Sequence, residues 1–174
     1  QQDHLLIDLG LSGRPAEFRA TLPTGSSPAK VTRLAKSGRL DTSFGSQGSL
    51  VKSYNSSSQG TAAAVQPDGK IVVAVSDSLV VPHGPTERFH LIRLNPDGTR
   101  DASFDWTSQR THTPGWQSGG LDVAVQPDSR IVVLEYFAKP GELNQIKLAR
   151  YLADGAIDAT FGVEGKGAVV VDYG

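Results

Sequence analysis

The stretch GTAAAVQPDGKIVVAV, from Gly60 to Val75, returns as GLDVAVQPDSRIVVLE, from Gly120 to Glu135, at an offset of 60 residues without a gap. Self-similarity at a fixed period marks a repeat architecture, in which each repeat is one supersecondary unit that buries its apolar face against the next. Within each copy two short runs, the second mostly β-branched and apolar, flank Pro67, Asp68 and Gly69 or their counterparts. Proline presets its own φ, glycine accepts a positive one, and aspartate hydrogen-bonds locally, so the pattern predicts a β-hairpin.

Outward from the hairpin a second block occurs three times, as RLAKSGRLDTSFG from Arg33, RLNPDGTRDASFD from Arg93 and RYLADGAIDATFG from Arg150. The starts are 60 and 57 residues apart, and the difference falls where FAKPGELN is shorter than SLVVPHGPTER. A Pro/Gly-bearing surface loop tolerates such a change. The runs FHLIRL and IKLARYL read as third strands, each closed by a second turn, Pro96-Asp97-Gly98 or Ala153-Asp154-Gly155. A fourth strand follows, SLVKSY in one copy and GAVVV in another. No amphipathic helical window of useful length interrupts them.

The D-x-S/T-F element has a structural reading of its own. Asp41, Asp101 and Asp158 each stand two residues before a hydroxyl, so their carboxylates can accept local hydrogen bonds and fix the turn. Phe44, Phe104 and Phe161 are then the aromatic plugs shared between neighbouring units. In two copies the Phe opens a glycine pattern, Gly45 with Gly48 and Gly162 with Gly165, expected to form a flexible corner. The middle copy breaks it with Asp105 and Trp106. Before Arg33, HLLIDLG and GRPAEFRATL read as a worn first hairpin, with Ile7 aligned to Val65. The expected fold is therefore all-β, with blades of four antiparallel strands and about three blades per chain. Residues 1–174 form a single repeat domain, divided approximately into a degenerate blade at 1–55 and blades at 56–115 and 116–174.

At VQPDGKIVV, RLNPDG and LDTSFG the chain resembles the delta-60 repeat family of bacterial β-propeller proteins, over roughly residues 29 to 172. The resemblance implies one propeller blade per repeat and an exported bacterial protein, periplasmic, surface-bound or extracellular. It carries no catalytic residue to transfer. The chain departs from such repeats at Val75 and Glu135, where they usually place glycine, and at Ser129, which replaces the turn glycine Gly69. Closed propellers use about 4 to 8 blades, and an open stack leaves strand edges and apolar faces exposed. Closure by self-association is expected, with a homodimer giving a six-bladed ring as the simplest symmetric solution. A fragment of a longer chain and a stack that is not a propeller are the alternatives.

Composition narrows the partners. With 174 residues, 17 Lys plus Arg, 18 Asp plus Glu and a net charge of −1, the chain lacks the clustered positive charge that nucleic acid requires, so no nucleic acid is expected. Cysteine is absent, which removes disulfides, thiolate metal sites and a thiol nucleophile. No apolar run approaches a membrane span. Methionine is also absent, so a chain beginning at Gln1 is expected to have been processed or cut upstream, with a cleaved export signal as one reading.

Three sets of residues are candidates for chemistry. The turn aspartates Asp68, Asp97 and Asp154 invite calcium, but no D-x-D-x-D loop accompanies them and turn chemistry accounts for them, so neither a metal nor a cofactor is expected. The segment DWTSQRTHTPGW, residues 105–116, sets Trp106, Arg110, His112 and Trp116 together as a platform for a sugar or aromatic ligand, or as packing between blades. Asp122 and Glu135, near the open end of one hairpin, are a carboxylate pair for metal or acid and base work. Pairing with Arg130, Lys139 or Lys147 is their structural alternative. The four histidines share no H-E-x-x-H spacing, and Ser12 and Ser118 fail the G-x-S-x-G pattern. The function expected is a non-catalytic propeller module that binds a glycan or a protein. The alternative is a hydrolase or lyase using Asp122 and Glu135 in a central channel.

Overall fold

The structure, a computed structural model, describes residues 4–7, 16–21, 29–35, 37–52, 57–81, 84–107, 117–138, 141 and 144–173. Among these residues twelve strands form three antiparallel sheets, each a meander of four consecutive strands. The first sheet holds β1 (His4–Ile7), β2 (Ala16–Thr21), β3 (Ala29–Ala35) and β4 (Ser49–Lys52). The second holds β5 (Ser57–Val65), β6 (Ile71–Val81), β7 (Gly84–Leu94) and β8 (Arg100–Thr107). The third holds β9 (Gln117–Val125), β10 (Ile131–Ala138), β11 (Asn144–Tyr151) and β12 (Ala168–Tyr173).

The expected hairpin forms through its turn chemistry. The Gln66 amide donates to the Lys70 carbonyl at 2.7 Å, Gly69 donates back to Gln66 at 2.8 Å, and the Asp68 carboxylate accepts the Lys70 amide at 3.0 Å. Gln126, Asp128, Ser129 and Arg130 repeat these bonds at 2.8, 2.9 and 3.1 Å, and Ser129 adopts φ 66° where Gly69 has 86°.

The sheets stack in chain order. Ile71, Val73 and Val75 of β6 pack toward the first sheet with Val31 and Phe44. Val72 and Ala74, on the opposite face, pack toward the third sheet with Val123, Ile131 and Val133. A strand covered on both faces carries a continuous apolar run rather than an alternating one, which accounts for IVVAV. The matching run in β10 alternates instead: Ile131, Val133 and Glu135 are buried, while Val132 and Leu134 are half-exposed. The three described sheets do not close into a ring.

Register corrects two sequence-based expectations, and in the middle copy it shows how the chain runs where the glycine pattern is broken. Phe18 stands opposite Arg33 as Val72 stands opposite Arg93, and Ile7 pairs with Phe18 as Ala64 pairs with Val72. Ile7 thus corresponds to Ala64, not Val65, and a step of one residue exchanges the two faces of a strand. In the middle copy β8 already begins at Arg100, and Trp106 pairs with Leu91 where Leu50 pairs with Val31 and Val169 with Leu148. The chain reaches that position with no glycine corner. In the third copy the counterpart of Gly48 is Gly167 rather than Gly165. The amide of Arg33 bonds Gly48 at 3.2 Å and that of Arg150 bonds Gly167 at 2.9 Å, while Gly48 abuts Leu40 and Gly167 abuts Ile157. Val163–Gly165 is a short 3-10 turn inserted before it. These glycines make room for a side chain, so the corner is packed rather than loose.

Candidate functional site

The most elaborate side-chain chemistry lies where one sheet meets the next. Arg33, Arg93 and Arg150 hold equivalent positions on β3, β7 and β11, and each Nε donates to the carboxylate of Asp41, Asp101 or Asp158 at 2.8 Å. The other carboxylate oxygen accepts a backbone amide at 3.0 Å and a hydroxyl at 2.6 Å, from Ser43, Ser103 or Thr160. The guanidinium carbons lie 4.9, 4.5 and 4.6 Å from the ring centres of Phe44, Phe104 and Phe161, a cation-π distance.

Two of these groups reach across to the following sheet. Arg33 donates to the carbonyl of Pro96 and Arg93 to that of Ala153. Beside them the plug rings press on a turn glycine. A Cβ at Gly98 would lie 2.9 Å from the ring of Phe44, and one at Gly155 equally close to that of Phe104. Both glycines have φ near +90° and no room for a side chain. Phe44 and Phe104 are sealed, at 0% and 1% exposure. Gln66, 2% exposed, completes the junction between the second and third sheets, donating to the Ser129 carbonyl at 3.3 Å and accepting from Arg93 at 3.4 Å.

These latches fix the protonation of their carboxylates. The Ser103 hydroxyl, then Lys70 at 2.9 Å, hold Asp101 well below the usual carboxylate range, and burial opposes them only in part. Asp41 and Asp158 are lowered chiefly by the hydroxyls of Ser43 and Thr160. Asp97 is lowered chiefly by the Thr99 hydroxyl and Asp128 by the Arg130 amide. Such carboxylates are acceptors and charge partners. They are poorly suited to take up a proton near neutrality.

Asp122 and Glu135 do not form a pair. Asp122 stands opposite Leu134 and is exposed, its carboxylate accepting the Val123 amide at 2.8 Å. Glu135, one residue past Leu134, points to the other face of the sheet, where it is 5% exposed. There Lys147 Nζ lies 3.4 Å and the Tyr151 hydroxyl 3.5 Å from its Oε1. The expected ion-pair alternative thus holds for Glu135 with Lys147, while Lys139 lies outside the described residues. So do Arg110, His112 and Trp116, and only the backbone of Trp106 is described, in β8. Among the described residues no three His, Cys, Asp or Glu side chains are grouped to hold a metal, and no helix is long and apolar enough to cross a membrane.

Sequence reasoning located the aspartates and phenylalanines but missed the arginine that joins them and the glutamine beside them. Both were visible as invariants of the repeat, Arg33, Arg93 and Arg150 and then Gln66 and Gln126.

Consecutive four-stranded meanders, stacked in chain order and joined by the same latch, define a β-propeller repeat module. In agreement, a family described as "Domain of unknown function (DUF5122) beta-propeller" matches residues 66–104 and 126–161. Each match runs from the glutamine of a hairpin turn to the phenylalanine of a latch. No curated protein matches the chain.

Proposed function

We propose that this propeller module is non-catalytic and binds a glycan through residues 105–116, which run from the end of β8 to the start of β9. The observation that favours this reading over a hydrolase or lyase built on Asp122 and Glu135 is the separation of those two carboxylates. An acid and base pair must converge on one reacting group, yet these two carboxylates occupy opposite faces of a sheet and one is sealed against Lys147. The segment itself concentrates Trp106, Arg110, His112 and Trp116, a composition suited to stacking on a sugar face with polar contacts at its rim. It also stands outside the two stretches that carry the repeat motifs.

The test is a titration of the full chain with chitohexaose and with cellohexaose, followed by tryptophan fluorescence. A saturable change with at least one of them is expected, weakened about tenfold or more, or about 1.4 kcal/mol, by Trp116→Ala without a change in circular dichroism. No response to either sugar, or a response that Trp116→Ala leaves intact, would remove the glycan reading.

A further inference from the structure

We infer that the outer face of the third sheet docks the first sheet of a second copy of this chain, so that two chains close head to tail into one six-bladed ring. On β10, β11 and β12 the residues Val132, Leu134, Ile146, Leu148, Val169 and Val171 share the face turned away from the second sheet. Leu148 and Val171 are 37% and 58% exposed. The counterparts of the first four in the second sheet, Val72, Ala74, Phe89 and Leu91, are at most 2% exposed, because the third sheet covers them. A contiguous apolar face of this kind marks an interaction surface.

The latch on that face is half made. Arg150 binds Asp158 and Thr160, but the carbonyl that Arg33 and Arg93 reach in the following sheet has no counterpart for it among the described residues. Phe161 is half-buried where Phe44 and Phe104 are sealed. The buried side-chain oxygen of Gln126 has no hydrogen-bond partner among the described residues, whereas that of Gln66 accepts from Arg93.

The complementary half stands at the other end of the same chain. The Gly38 amide closes a turn on Ala35 at 2.8 Å, as Gly98 does on Asn95 and Gly155 on Leu152, both at 2.9 Å. Gly38 has φ +74°, matching those glycines, yet among the described residues nothing lies within 4 Å of where its Cβ would point. The corresponding space at Gly98 and Gly155 holds a phenylalanine ring. One chain thus offers one unfilled socket and one plug without a cover, and a second copy fits both. Two chains of three sheets give six blades, within the range of about 4 to 8 that closes a propeller, and a two-fold axis makes the two new junctions identical.

Sedimentation equilibrium of the full chain should give twice the 18.4 kDa chain mass. Leu148→Asp, which charges the face, and Gly38→Asn, which fills the socket with a residue tolerant of positive φ, should each yield folded monomers by circular dichroism. Mixing the two variants should restore association, since the pair retains one intact plug and one intact socket. A wild-type monomer at every concentration, with the face left to a blade from another chain, would overturn the proposal. So would a dimer that survives both substitutions, or variants whose mixture stays monomeric.

Discussion

Ser129 is the residue at which the repeat departs from its own turn chemistry. Its φ of 66° is one that side chains adopt at a cost and that Gly69 adopts freely. Ser129→Gly should therefore stabilise the fold by about 0.5 kcal/mol, the released strain outweighing the extra chain entropy of glycine. The readout is a higher urea midpoint at an unchanged slope. The latch carboxylates set the acid limit. An unfolded aspartate has a pKa of about 3.9, while Asp41, Asp101 and Asp158 are held lower in the folded chain. Below about pH 4 the unfolded state then binds more protons, so the stability these groups supply is complete above that pH and lost as pH falls toward their folded values. Asp101→Asn should lower stability at neutral pH and flatten this acid limb, as unfolding followed from pH 7 to pH 2 would reveal. Such behaviour was legible in the sequence only as far as Asp101 and Ser103. The partners Arg93 and Lys70 lie 8 and 31 residues away and meet it only through folding.

At the scale of the element, β9 illustrates why a glycine stands at position 120. A Cβ at Gly120 would stand 2.1 Å from the ring of Phe89 on β7, so the strand needs a bare backbone for the third sheet to approach the second. Gly120→Ala must displace that ring, and overpacking of this kind costs about 2 kcal/mol. A depressed thermal midpoint with unchanged secondary structure is the expected result. The hairpins, the strand count and the alternation were legible because turn residues and apolar runs act over a few neighbours. The equivalence of Gly48 with Gly167 was not, because it depends on Leu40 and Ile157 folding back from the preceding turn. Trp106 breaks the glycine pattern, as the sequence shows, and its backbone still holds a regular ladder position opposite Leu91.

At the scale of the molecule, each junction is asymmetric. One sheet contributes an arginine, a carboxylate and a plug, and the next contributes a carbonyl and a turn glycine. An asymmetric contact repeated in one direction either propagates or closes on itself, and only closure satisfies every unit. Buried junction charge also specifies order. Arg93 and Asp101 are both 8% exposed, so truncating Asp101 leaves the Arg93 guanidinium without its carboxylate in a buried site, a loss of about 3 kcal/mol or more. Sheets that slid past one another would keep that pair, which lies within one sheet, but would lose the Arg93 bond to the Ala153 carbonyl and the seat of Phe104 on Gly155, which ties each blade to its own neighbour.

The sequence by itself determined the repeat, its four-strand unit, its turns and the carboxylate and aromatic positions of the latch. Each of these is written in contacts between residues a few positions apart, where dihedral preference and local hydrogen bonding decide. Only the tertiary structure decided which faces are covered. IVVAV in β6 and IVVLE in β10 are nearly the same string, yet one is buried on both sides and the other on one. Burial depends on whether another sheet lies against a face, and that sheet comes from residues about 60 positions away. For the same reason Asp122 and Glu135, close on paper, are apart in the molecule, on opposite sides of a strand pair whose pleat sends neighbours in opposite directions.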